Sequence, residues 1–112
     1  MTDGEWTPAH LAVEQEDLVA LREALDAGAD IHEEDYDGCS TLLHHAIDIE
    51  LDSHVQSGDP LHVDLTAYLL ARGADPRRRL SNGGASAAEK AAQEGHWLAQ
   101  ALIEEWLRSH PQ

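Results

Sequence analysis

The sequence predicts an all-α protein built from three stacked helix-turn-helix units, and three observations carry that expectation. Hydrophobic residues make up 42% of the chain, but they are mainly Ala and Leu, with no Phe and one Met, a mix suited to closely packed helices rather than strands. A shift of 34 residues lays Asp3-Gly4 on Asp37-Gly38, Thr7 on Thr41, His10 on His44 and Ala12 on Ala46, which is the self-similarity of a structural repeat. The endings recur too: AGADIH at Ala27–His32 returns as RGADPR at Arg72–Arg77. At 112 residues the chain has room for one domain, 1–112, with repeats at about 3–36, 37–79 and 80–112.

The elements follow in order. In the first copy Thr7 is a hydroxyl cap and Pro8 takes the first helical position, where its missing N–H costs nothing. Leu18, Leu21 and Leu25 line the second helix at spacings of three and four, and Gly28 ends it. The second copy spans 32 residues from Thr41 to Gly73 where the first needs 21 from Thr7 to Gly28, so it carries an 11-residue insertion within 48–62. Leu43, Ile47, Leu51 and Val55 keep a four-residue spacing through it, predicting a first helix about two turns longer than its counterpart. QSGDPLH then reads as a turn, with Asp59 capping and Pro60 starting the next helix. In the third copy SAAE, Ser86–Glu89, is a capping box, and Trp97 and Trp106 follow the helical period and are expected in the core. No unit buries its apolar side alone, so stacking is expected to do so.

These motifs resemble the ankyrin repeat family. TPAHLAV looks like the family's T-P-L-H-x-A signature, AGAD and RGAD look like its repeat endings, and EGH at Glu94–His96 is similar to its inter-helix turn. The resemblance covers about Gly4 to Leu107. It departs at Thr41-Leu42, which lacks the proline, at Glu89, which stands where the family has histidine, and in the Asp-Gly pairs, one residue farther from Thr than usual. It implies an ankyrin-repeat solenoid that binds other proteins. It also implies that His10 and His44 are structural, tying turn to helix; His45 has no family role.

Charge narrows the partner. Residues 1–75 carry 18 acidic and 2 basic side chains, a net of −16, while 76–112 carry 4 acidic and 5 basic, a net of +1. Such a field repels nucleic acid and anionic membranes and steers a basic protein. No apolar run approaches a bilayer span, and no charged leader precedes an apolar stretch; a soluble, cytoplasmic monomer is expected. The single cysteine, Cys39, excludes an intrachain disulfide and a Cys-rich metal site.

The expected contact surface is acidic and concave: Glu5, Trp6, Glu14, Gln15, Glu33, Glu34, Tyr36, Asp37, Asp48 and Asp52. In the ankyrin resemblance, turns such as HEEDYDG, His32–Gly38, project as fingers beside the first helices. Tyr36 and Trp6 would serve as aromatic anchors. One use of such a surface is as an inhibitor, for instance the immunity partner of a nuclease-type toxin, with carboxylates occupying a groove meant for phosphates. RRR at Arg77–Arg79 is expected to be neutralised within the protein. No phosphate loop, serine nucleophile motif or Cys-His pair occurs, so no catalytic residue, cofactor or metal is expected. The rival reading is a small metal-dependent enzyme around the insertion, where His45, Asp48 and Asp52 share one helical side and His54 and His62 lie near the turn. A solvated face with helix-stabilising pairs is the simpler account of those residues.

Overall fold

A computed structural model describes residues 6–35 and 40–110, which form six helices in three consecutive pairs. The first pair is α1 (Pro8–Glu14) and α2 (Leu18–Asp26), the second α3 (Leu42–Ser57) and α4 (Asp64–Ala71), the third α5 (Ala87–Glu94) and α6 (Trp97–Ser109). Each pair packs on itself; α3 lies between α1 and α5, and α4 packs against α6. Among the described residues the extended pairing is a single antiparallel bridge, Glu34 with Thr41, at the base of the loop before α3.

Local chemistry sets most helix starts. Thr7, Thr41 and Ser86 each accept the backbone N–H three residues on, at 3.2, 3.3 and 3.2 Å. Ser86 completes its box, with the Glu89 side chain returning to the Ser86 N–H at 3.0 Å. Asp17 caps α2 by accepting from Ala20 N–H at 3.0 Å. After α2 and α4 the chain turns at Gly28 (φ 112°) and Gly73 (φ 103°), a backbone region that side chains with a Cβ rarely adopt.

Alanines set the spacing between pairs. Ala9 and Ala12 on α1, Ala46 on α3, and Ala87 and Ala91 on α5 are buried, so the three helices approach closely. Leu21, Leu42, Ile47, Leu65, Leu69 and Ile103 fill the volume around them. Each such side chain contributes about 1.5–3 kcal/mol by leaving water.

Four expectations change. First, the helix through the insertion does run long, 16 residues against 7 for α1, but its apolar stripe leaves the core: Leu51 is half-buried and Val55 is 75% exposed. Second, Asp59-Pro60 does not start a helix. α4 begins at Asp64, with no side-chain cap of its own, because the Glu50 carboxylate holds the Leu65 and Thr66 N–H groups, each at 3.0 Å. Third, Trp97 is 65% exposed at the start of α6, on the side it shares with the exposed Ala101, Glu104 and Arg108; Trp106 does pack against the core. Fourth, His45 is not part of a solvated face but is buried.

Candidate functional site

Two histidine–carboxylate centres organise the polar interior. The first is Glu50, on the long α3 and fully buried. Besides the two α4 N–H groups, it accepts the Thr66 hydroxyl at 2.7 Å and the His96 ring at 2.9 Å. His96 caps α6 by accepting the Ala99 N–H at its Nδ1, 3.2 Å, so its single proton sits on Nε2 and is donated to Glu50. One carboxylate thus ties α3 to the starts of both α4 and α6. All of its acceptor positions are used, and water does not reach it.

The second centre lies between α1 and α3. His10 and His45 are both buried, with ring centroids 5.3 Å apart and ring planes inclined by only 22°, so that they meet edge to edge. His10 Nδ1 and His45 Nδ1 are 3.0 Å apart; His10 Nε2 lies 3.3 Å from the Glu33 carbonyl oxygen, and His45 Nε2 lies 2.8 Å from Glu14 Oε1. Burial pushes the His10 pKa down, with the neighbouring His45 adding to the effect, against an opposing pull from the Glu33 carbonyl. The Trp6 ring covers His45 at 5.3 Å, tilted by 48°.

This centre opens into a recess of about 160 Å³ lined by Trp6, Glu14, Asp35, Ser40, His45, Asp48, Ile49 and Asp52. The fold therefore brings together four of the sequence-derived contact residues, Trp6, Glu14, Asp48 and Asp52. Asp48 and Asp52 project from successive turns of α3, while Trp6 and Glu14 stand at the two ends of α1. Lys90 of α5 reaches Asp48 at 3.5 Å and Glu94 at 3.6 Å, a surface pair that contributes little.

The other contact residues are placed differently. Glu33 accepts the Thr7 hydroxyl, and Glu34 accepts both the N–H and the hydroxyl of Ser81, at 2.8 and 2.5 Å. The two Ser81 bonds hold the Glu34 carboxyl below its ordinary pKa, so it serves as a strut between successive loops. Gln15 lines a separate groove with Pro8, Leu11 and Ala20. Glu5, Tyr36 and Asp37 lie outside the described residues, as does Cys39.

His44 sits at the position equivalent to His10. Its Nε2 donates to the Ala85 carbonyl at 2.7 Å, leaving Nδ1 to accept the Thr41 hydroxyl at 2.7 Å, and burial keeps its pKa below the ordinary value. Both histidines thus tie a helix start to the loop entering the next pair. Two of the three consecutive arginines pair internally, Arg77 with Asp75 at 3.0 Å and Arg79 with Glu89 at 2.9 Å. Arg77 also lies over the Trp106 ring at 5.3 Å.

The remaining histidines of the insertion do not converge on His45. His54 contacts the Asp59 carbonyl, and His62 donates to Glu16 at 2.7 Å, where Ser53 also donates. Glu16 has a positive φ of 55°, an uncommon backbone for a residue with a Cβ, so the insertion braces the α1–α2 turn. No group of three or more His, Cys, Asp or Glu among the described residues is arranged to hold a metal ion. None of their helices is long and apolar enough to cross a membrane. The sequence places His45 with Asp48 and Asp52 on one side of the long helix, as the recess does, but does not single out Asp35, Ser40 or Ile49 as parts of the recess, or Glu50 as a structural centre. The pairing of His45 with His10 spans 35 residues, and nothing local signals it.

No protein-family model matches the chain, and no curated protein matches it.

Proposed function

We propose that this protein is an ankyrin-type solenoid of three repeats that binds a basic partner protein through the acidic recess between α1 and α3. The observation that carries the reading is the convergence of Trp6, Glu14, Asp48 and Asp52, from two helices, on one opening. Support for the solenoid comes from the order of packing: three helix pairs in sequence, with α1, α3 and α5 forming one row. Carboxylates around an exposed indole suit an arginine or lysine side chain, which gains charge complementarity from the acids and a ring face from Trp6. The overall charge of −15 brings such a partner in, and the recess would give it a place to dock. Inhibition of a protein that itself grips phosphates is the use such a surface fits.

The test uses a ten-residue arginine peptide as probe. Asp48→Asn combined with Asp52→Asn should weaken binding by about tenfold at low salt, and raising salt should weaken the unmodified protein similarly. Glu23→Gln with Glu104→Gln removes equal charge from exposed positions outside the recess and serves as the control. Equal losses in both double variants would assign the binding to the overall field and leave the recess without a role.

A further inference from the structure

The hydrogen bonds of the second centre fix a proton count. The Glu33 carbonyl only accepts, so His10 Nε2 must carry a proton. The Glu14 carboxylate only accepts, so His45 Nε2 must carry one as well. Between the two Nδ1 atoms, 3.0 Å apart, there is one further proton, donated by one ring and accepted by the other. The pair therefore holds three N–H protons where two neutral imidazoles hold two.

The extra proton belongs on His45. That ring touches Glu14, packs against the tilted ring of Trp6 and borders the carboxylates of Asp35, Asp48 and Asp52 in the recess. His10 is completely buried and its accessible polar neighbour is a neutral carbonyl. The charges acting on His10 are the Glu33 carboxylate, occupied by the Thr7 hydroxyl, and Asp35, which also borders the recess beside His45; Lys90 lies beside Asp48.

We infer that the His10–His45–Glu14 chain is a proton site, and that a basic side chain entering the recess displaces its proton, coupling docking to proton release. The coupling rests on the proposed function; the proton site does not. When a guanidinium draws Glu14 away, His45 Nε2–H loses its acceptor and gives its proton to water or buffer, while Nδ1–H stays bonded to His10. One cation replaces another and the charge of the recess is conserved. The partner's affinity consequently falls as pH is lowered, by up to about tenfold per pH unit for one linked proton.

Two measurements test this. Nitrogen NMR of the imidazole rings in the free protein at neutral pH should find both His45 nitrogens protonated and only Nε2 of His10. In Glu14→Gln the side-chain amide can turn to donate to His45 Nε2, so that ring should become neutral with its proton on Nδ1. Two neutral rings in the unmodified protein, or an unchanged His45 in the variant, would overturn the proton site whatever the peptide does. Calorimetry with the arginine peptide in phosphate and in Tris should then differ by the heat of about one released proton, and the difference should vanish in Glu14→Gln. Binding with equal heats in both buffers would overturn the coupling and leave the docking reading standing. Failure of the peptide to bind, or indifference to Asp48→Asn and Asp52→Asn, would overturn the docking reading and the coupling with it.

Discussion

Glu50–His96 and Glu14–His45 are the same chemical couple in two settings. At Glu50 the carboxylate is buried on all sides and its four donors come from the starts of two helices: the two α4 amides and the Thr66 hydroxyl from α4, and the His96 ring that caps α6. At Glu14 the side chain is 39% exposed and its partner ring opens into a recess. A carboxylate whose acceptor positions are all filled by the fold has nothing left to offer a ligand and acts as a fastener. One with a single internal donor and contact with water remains able to exchange partners. The difference comes from saturation of hydrogen bonds, since the residue types are identical.

Breaking each centre should rank them. Glu50→Ala leaves two buried amides, a hydroxyl and an imidazole N–H without their acceptor, and the expected loss is about 3–5 kcal/mol, the range for removing one partner of a buried charged network. That is a large share of the roughly 5–15 kcal/mol that holds a domain together, so urea unfolding should find the variant largely unfolded or only marginally stable. A variant that melts like the unmodified protein would remove the distinction between the two centres.

Glu14→Gln should cost about 1 kcal/mol or less in the same urea experiment, because the amide keeps a hydrogen bond to His45 and the site is partly solvated. A loss as large as that of Glu50→Ala would make the recess a structural fastener too.

The smallest effect is expected at the surface couple His62–Glu16, where it should depend on pH. Burial pulls the His62 pKa down, but the hydrogen bond and charge of Glu16 outweigh it and leave it above 6.5. A raised folded value means that this pair stabilises the protein fully below the unfolded value of 6.5 and loses that contribution as pH rises through the raised one. His62→Gln should therefore cost about 0.5 kcal/mol at pH 6 and less at pH 8, read from urea midpoints. His10 and His44 act in the opposite direction: with depressed values, they subtract stability as pH falls below 6.5. A His62→Gln deficit that grows with pH would reverse the assignment.

Much of the architecture was legible because it is written locally. A hydroxyl three residues before the amide it caps, a proline at the first helical position and a glycine at positive φ depend on neighbours in the chain, and Thr7, Pro8, Thr41, Ser86, Gly28 and Gly73 all stand where that chemistry placed them. The start of α4 was misread at Asp59-Pro60 for the converse reason: its cap is Glu50, 15 residues upstream of Leu65 and brought to it only by packing. Trp97 shows the limit of periodicity, since a large apolar residue at the first position of a helix can fall on the side facing water.

The candidate site divides in the same way. The sequence by itself determined an all-helical chain, its repeat, the excess of acid in the first two copies and the presence of carboxylates on α1 and α3, because composition and short-range spacing are properties of the chain alone. Which of those carboxylates remain open was decided by tertiary structure. Glu33 and Glu34 were spent on Thr7 and Ser81, Glu50 on two helix starts, and Glu14 on a histidine pair at the edge of a recess. Hydrogen bonds between residues 26 to 47 positions apart leave no periodic trace, because each depends on where the packed helices bring two side chains and on which acceptors the backbone has already filled.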